Sequence, residues 1–329
     1  MVGATVVLSN GDIVHASETD NDALFWGLLG AGQNFGVVTE FELRAYPQNE
    51  VYQGTLVLPP APGVISKIIA TMNDLYHVPT PGQYSKTQGR LSLLLGLARP
   101  PEAQHKTMVL LIMAYDGSGE DCKQLLQPVL DLGPVVNTLQ MGPYPAVNKQ
   151  VPTVSGFRSS MKGAAFVLPI RYEFFMHMLR KFDTFMDAET DAAGSLVAWE
   201  VCDPTAVVTS EKGCFANRGY HLNSLIMPLW SETESDMTCR QFARDMSLEF
   251  KKELELHGQR TSEGSEGGAS VKGRRGAVLL YGNYDQYNEI SRDIFGDNYP
   301  ALQQLKAKYD PTNMFNKLFP ITPEDVVKL

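Results

Sequence analysis

The sequence reads as an α+β chain of two domains, and three observations carry that reading. Its 329 residues are about twice the length of a common single domain. Apolar residues make up 43% and charged residues 20%, the composition of a globular rather than a disordered protein. Apolar β-type runs alternate with amphipathic stretches without a strict strand–helix–strand repeat. That pattern fits one large sheet with helices packed on one face.

The first expected element is a β-hairpin over residues 4–16. Thr5-Val6-Val7-Leu8 and Asp12-Ile13-Val14-His15 flank Asn10-Gly11, the dipeptide that best tolerates the positive φ angles of a tight turn. A short helix over Asn21–Leu29 follows. Thr19, Asp20, Asn21 and Asp22 offer capping oxygens and acidic charge at its start, and Gly30 is its stop. A strand over Val37–Ala45, ended by Tyr46-Pro47, completes this block.

Between residues 50 and 260 the apolar runs Leu91–Leu95 and Met108–Met113 predict strands, as do Leu196–Val201 and Leu222–Leu229. Helices are expected at Val64–Tyr76, Glu120–Leu132 and Arg171–Met186. The last carries Phe174, Met178, Phe182 and Met186 at four-residue spacing. A long polar-faced helix is expected from Ser231 to Glu255. Gln259–Gly276, rich in Gly, Ser and Glu and then basic, reads as a mobile surface loop. A strand at Ala277–Tyr281 and a helix at Tyr299–Tyr309 close the chain, with Pro300 in the first turn of that helix and Asp310-Pro311 ending it.

Composition excludes several classes of function. Lys and Arg number 28 against 37 Asp and Glu, a net charge of −9, so a phosphate backbone gains little from this chain and nucleic-acid binding is not expected. No stretch has the roughly 18 uninterrupted apolar residues of a membrane span. Met1–Asn10 lacks the ordered parts of a secretory signal, so a cytoplasmic location is the expectation. Cys122, Cys202, Cys214 and Cys239 are scattered, as are the six histidines. Reduced thiols and no metal site are expected.

Three segments offer chemistry. In Gly30-Ala31-Gly32-Gln33-Asn34-Phe35-Gly36 the glycines follow a helix and precede a strand, the reverse of the dinucleotide fingerprint. The segment is either a cradle for a ligand or a helix cap followed by a tight turn. Tyr281-Gly282-Asn283-Tyr284-Asp285 sets two phenols, an amide and a carboxylate at the end of a strand. A tyrosine there acts as a base only if its pKa falls from about 10; otherwise the run is a polar strand terminus. On the strand at Ala198–Cys202, alternation sets Glu200 and Cys202 opposite Trp199 and Val201. Glu200 and His221 either face a pocket or lie at the surface.

The order of these motifs resembles the berberine-bridge-enzyme-like branch of the FAD-linked oxidases, within the vanillyl-alcohol-oxidase superfamily. The likeness rests on Thr5–Gly11, on Asp22–Thr39 with its Gly-rich turn, on Tyr281–Asp285, on Phe295–Pro300 and on Lys308–Phe315. The Tyr281–Asp285 run departs from the family pattern by placing Asp285 one residue early. Trp199–Pro204 and Phe215–Trp230 resemble the intervening strands.

The resemblance implies a partial PCMH-type FAD-binding domain at 1–48 and 276–329, and a substrate domain at 49–275 with a large antiparallel sheet covered by helices. It further implies that residue 1 matches a point after the family's N-terminal flavin subdomain. Gln33, Asn34, Phe35, Gly36 and Val37 then match a segment along the flavin nucleotide, and Tyr281 and Asn283 lie near its ring. Tyr284 matches the base of some members, and Glu200 lies where others present an acid or base. His221 is a further candidate catalytic group.

Three functions follow as expectations. The first is FAD-linked oxidation of a hydrophobic small molecule in secondary metabolism. The second is a flavin-independent cyclase or isomerase, of the Diels–Alder type, derived from the same fold. The third is a non-catalytic binding module completed by a homodimer mate or partner chain over an exposed apolar face near residues 1–48.

Overall fold

The computed structural model describes residues 1–100, 103, 106–151, 155–262, 280–284 and 290–324. In chain order the strands and helices are β1 (Gly3–Val7), β2 (Ile13–Ser17), α1 (Asp22–Ala31), β3 (Val37–Glu42), β4 (Val51–Leu58), α2 (Pro62–Leu75), β5 (Leu91–Ala98), β6 (Met108–Tyr115) and α3 (Gly119–Leu130). There follow β7 (Val136–Asn137), β8 (Gln140–Gly142), β9 (Arg158–Ser159), β10 (Lys162–Phe166), α4 (Tyr172–Ala188), β11 (Leu196–Val201), α5 (Thr205–Thr209), β12 (Leu222–Met227), β13 (Leu229–Trp230), α6 (Asp236–Ser262), α7 (Ser291–Phe295) and α8 (Tyr299–Tyr309). The predicted loop at 259–276 and strand at 277–281 lie mostly outside the described residues. Of these, residues 259–262 continue α6, and Leu280 and Tyr281 are irregular.

The chain divides into two compact units. Unit 1 comprises Met1–Pro47, Val207–Gly219 and Lys272–Leu329, and unit 2 comprises Gln48–Ala206 and Tyr220–Val271.

In unit 1 the expected hairpin forms, with Gly3 opposite Ser17 and Val7 opposite Ile13. Gly11 takes φ +88° and the Asn10 side chain accepts from the Asp12 N–H at 3.0 Å. Strand β3 adds to the other edge of β1, with a bulge between Thr5 and Val6. Helix α1 forms without the expected side-chain cap. Asn21 lies in the left-handed region, and its amide donates to the His15 carbonyl at 2.8 Å instead. At the far end Gly30 has φ +157°, and a Cβ there would come within 2.4 Å of the Phe215 nitrogen. Phe215 N–H donates to the Leu29 carbonyl at 3.1 Å, so Gly30 stops the helix and admits a second backbone. Leu24, Phe25 and Phe35 pack with Leu302, Leu305 and Tyr309 of α8 to form the unit's core.

One charged network ties this unit together. Lys306 and Asp310, one turn apart on α8, are both fully buried, with Nζ–Oδ2 at 2.6 Å. The same ammonium donates to the carbonyls of Asn34 and Phe315, each at 2.7 Å. Asp310 accepts from the N–H groups of Met314 and Phe315 at 2.9 Å each. The Asn34 amide spans the next gap, donating to the Phe319 carbonyl at 3.2 Å and accepting from Ile321 N–H at 2.9 Å. All three donor positions of the ammonium are used.

In unit 2 eight described strands form one antiparallel sheet, ordered β10-β12-β11-β5-β6-β4-β7 with β8 also on β4. Alternation sorts its two faces. Leu56, Leu111, Leu95 and Trp199 form one row across the sheet and are fully buried. They pack in one core with Ile68 and Met72 of α2, Leu126 of α3, Phe175 and Phe182 of α4 and Phe250 of α6. Trp199 sits 4.8 Å from the Phe175 ring and 5.3 Å from Phe250, and Phe185 stacks on Phe242 at 3.8 Å. The expected apolar face of α4 is present: Phe174, Met178, Phe182 and Met186 are all buried.

Five strands, β4, β7, β8, β9 and β10, are absent from the sequence expectation. In β4 the Gln53-Gly54-Thr55 interruption hides the alternation, and Gly54 is needed because a Cβ would fall 2.6 Å from the Thr138 carbonyl oxygen. Helix α6 begins at Asp236, later than Ser231. The intervening residues turn about Asp191, whose carboxylate accepts from the N–H groups of Ser231 and Glu232.

The buried pair sets a stability test. Burial pushes the Asp310 carboxyl up, but the Lys306 ammonium and the two backbone N–H groups outweigh it and hold the pKa below the ordinary carboxylate value. The contribution is therefore complete above a pH of about 4 and is lost as pH falls through the depressed value. Asp310→Asn leaves the ammonium buried without its counter-ion and is expected to cost about 3–5 kcal/mol in denaturant unfolding at pH 7. A loss below about 1 kcal/mol contradicts the assignment.

Candidate functional site

Unit 1 contains a cavity of about 510 Å³, within the range of small-molecule sites. Met1, Leu28, Val38, Phe41, Ile294 and Phe295 line it together with four further segments. Gly30, Gly32, Gln33 and Gly36 come from the turn after α1. Phe215, Ala216 and Asn217 come from the 207–219 excursion. Tyr281, Gly282 and Asn283 form the polar turn, and Leu318 and Phe319 approach from the C-terminal segment. Among the described lining residues no side chain carries a charge; the polar side chains are Gln33, Asn217, Tyr281 and Asn283.

The network around Lys306 explains why this wall exists. It joins Asn34 in the Gly-rich turn to Phe315, Phe319 and Ile321 beyond α8. Phe319 is held at φ +48°, a backbone region that bulky residues rarely adopt, with its carbonyl fixed by the Asn34 amide. On the opposite wall Tyr281 meets Phe215 edge-on at 6.1 Å and Tyr284 at 4.9 Å, and Asn283 Nδ2 donates to the Tyr281 hydroxyl at 2.8 Å. Tyr284 N–H donates back to the Tyr281 carbonyl at 2.9 Å, closing the turn.

The sequence-selected residues divide between wall and scaffold. Gln33, Gly36, Tyr281 and Asn283 line the cavity. Asn34 and Phe35 are buried, the first consumed by the network and the second in the core. Val37 is exposed on β3, in a stretch where Phe41, Leu43 and Tyr46 are also exposed. Tyr284 packs beside Tyr281, and Asp285 lies outside the described residues.

Asn217 is the residue that sequence reasoning passes over. Its side chain is 7% exposed, lines the cavity, and its Nδ2 has no hydrogen-bond partner among the described residues. Such a donor costs about 1–3 kcal/mol if left unmade. The signal present in the sequence was Asn217-Arg218-Gly219, an amide in a short polar run after Phe215, which has no periodicity to mark it.

Glu200 and His221 belong to unit 2. The helices cover one face of its sheet, and the other face is half-buried at Leu94, Leu110, Ile112 and Leu225. Glu200 stands on that second face, in a row with Leu94 and Ile112. His221 directly precedes β12 and is 5% exposed, and neither ring nitrogen has a partner among the described residues. Burial lowers its pKa to about 4, so it is neutral at pH 7. Burial also raises the Cys202 thiol to about 11 and the Cys122 thiol to about 12, which leaves them poor nucleophiles. Among the described residues no three His, Cys, Asp or Glu side chains converge on a metal position, and no helix is long and apolar enough to cross a membrane.

Comparison with known proteins places this geometry. Residues 280–321, which carry the Tyr281–Tyr284 turn and the Lys306 network, match the family model "Berberine and berberine like". The FAD-linked oxidoreductase pgmH of Aspergillus terreus is 27% identical over 333 residues, covering 98% of this chain. The chain is thus similar to berberine-bridge-enzyme-like, FAD-linked oxidoreductases. Glucooligosaccharide oxidase of Sarocladium strictum is 24% identical over 98% of the chain.

The same fold occurs in 6-hydroxy-D-nicotine oxidase of Arthrobacter nicotinovorans (TM-score 0.73, 19% identity, 98% of this chain and 66% of that one). It also occurs in BBE-like 1 of Physcomitrella patens (TM-score 0.72, 15% identity, 98% and 65%). This chain spans 64% of pgmH and 63% of the glucooligosaccharide oxidase.

The depressed His221 pKa gives a sign for pH dependence. The unfolded state binds the extra proton at about pH 6.5 and the folded state only near pH 4. Stability is therefore highest above about 6.5 and falls on acidification through that window. The difference in unfolding free energy between wild type and His221→Phe is expected to change by about 3 kcal/mol from pH 7 to pH 4 in urea titrations, wild type losing more. Parallel pH profiles contradict the buried neutral state.

Proposed function

We propose that this chain takes part in flavin-dependent oxidation of a hydrophobic small molecule, with the unit 1 cavity receiving the flavin ring of FAD. The observation that carries the reading is the Asn217 donor, unpartnered among the described residues, in a cavity whose described lining side chains are uncharged. A planar ring bearing carbonyl and nitrogen acceptors satisfies such a donor, while its faces suit the Phe215 and Phe319 rings. Gln33, Asn217, Tyr281 and Asn283 would hold the ring's polar edge. The relatives named as FAD-linked oxidoreductases support the same assignment.

Bound flavin supplies an acceptor for a hydride and so performs the oxidation. This chain's residues supply orientation and proton handling. Tyr284 is the proposed base, and the Tyr281 ring beside it fixes its approach. In unit 2 the half-buried face at Leu94, Leu110, Ile112 and Leu225 offers apolar contact to a substrate. Glu200 is the carboxylate on that face. His221, neutral at pH 7, accepts a proton or donates one hydrogen bond but brings no charge. A hydrophobic secondary metabolite is the substrate class proposed.

Riboflavin and FAD titrated into the purified chain, followed by quenching of flavin fluorescence, test the reading. Both are expected to bind at one site with affinities within about tenfold, because no described lining side chain offers a charge to the phosphates. A folded chain that quenches neither overturns it. Turnover of a polyene or polyketide by that colourless chain would then point to the flavin-independent cyclase or isomerase.

A further inference from the structure

We propose that Arg218 is a positioning residue that holds the Asn217 amide in place as a donor to a ring carbonyl of the ligand in the unit 1 cavity. The proposal rests on the reading of that cavity as a flavin-ring site, and it identifies what aims the donor.

The guanidinium donates to four backbone carbonyls of a single loop. Nε donates to Phe215 O at 2.9 Å, Nη1 to Val207 O at 3.1 Å and Ser210 O at 3.3 Å, and Nη2 to Lys212 O at 2.6 Å. Its plane also lies 5.6 Å from the Phe215 ring. The 207–218 excursion is thereby wound about one planar group. Arg218 N–H donates to the Ala216 carbonyl at 2.8 Å, a three-residue turn with Asn217 at its apex. The other side of the loop is pinned by Cys214 N–H to the Trp26 carbonyl at 3.2 Å and by Asn298 Nδ2 to the Cys214 carbonyl at 2.8 Å. A residue at the apex of a turn fixed on both sides has its side chain direction set by that turn.

The chemistry of the acceptor follows from the cavity. Asn217 Nδ2 is a neutral donor, and the described lining side chains carry no charge to balance an anion. Burying a carboxylate or phosphate there is costly. A neutral carbonyl on a flat ring has no such cost. Lysine cannot replace Arg218, because four carbonyls at these positions need the fixed fork of the guanidinium rather than one ammonium.

The test is a double-mutant cycle read as riboflavin affinity by fluorescence quenching, with wild type, Asn217→Ala, Arg218→Lys and the double variant. Each single change is expected to weaken riboflavin about tenfold. The double variant should be no weaker than Asn217→Ala alone, because Arg218 acts only through that amide. Additive losses, or an Asn217→Ala variant that binds like wild type, overturn the proposal. If Arg218→Lys does not fold, Arg218→Gln takes its place in the same cycle and is judged by the same criterion against Asn217→Ala. Wild type that binds no riboflavin removes the flavin reading itself, an outcome distinct from a failed cycle.

Discussion

A lysine ammonium with no exposed surface must have every donor satisfied or the fold does not hold. In unit 1 that requirement is met by Asp310 and by the carbonyls of Asn34 and Phe315, three groups from three places in the chain. The rest of the unit depends on their meeting. Asn34 sits in the Gly-rich turn and passes the constraint on to Phe319 and Ile321. Two cavity walls are thus fixed by one charge, and the φ of Phe319 is tolerated because its carbonyl and the flanking segment are held. An apolar pair of similar size at 306 and 310 would pack as well, but it would not connect the two walls.

The same fold logic separates scaffold from surface in unit 2. Every strand presents one row to the helices and the alternate row away from them. The Trp199 row is filled by α4 and α6, while the Glu200 row is left half-buried. Glu200 stands among Leu94 and Ile112 by register rather than by local sequence.

Patterns set by near neighbours were legible from the residues alone. Asn10-Gly11 marked the hairpin, the spacing of Phe174, Met178, Phe182 and Met186 marked the buried face of α4, and the motif order pointed to the berberine-bridge-enzyme-like family. Contacts across hundreds of residues were not legible. Lys306 and Asp310 at i and i+4 look like a solvent-exposed helix pair, and only tertiary packing buries them. Asn34 reads as a ligand contact in the motif, yet its amide is consumed by backbone 285 and 287 residues away. Asn217 escaped notice because its importance lies in a missing partner, which no spacing encodes.

The buried Lys306 ammonium holds together two walls of the unit 1 cavity. Native-state hydrogen exchange of the Phe315 and Ile321 amides, with riboflavin affinity measured on the same wild-type and Asp310→Asn samples, tests it most directly. Both amides are expected to lose protection in the variant, and riboflavin affinity to fall with them. Loss of protection with unchanged affinity would contradict it.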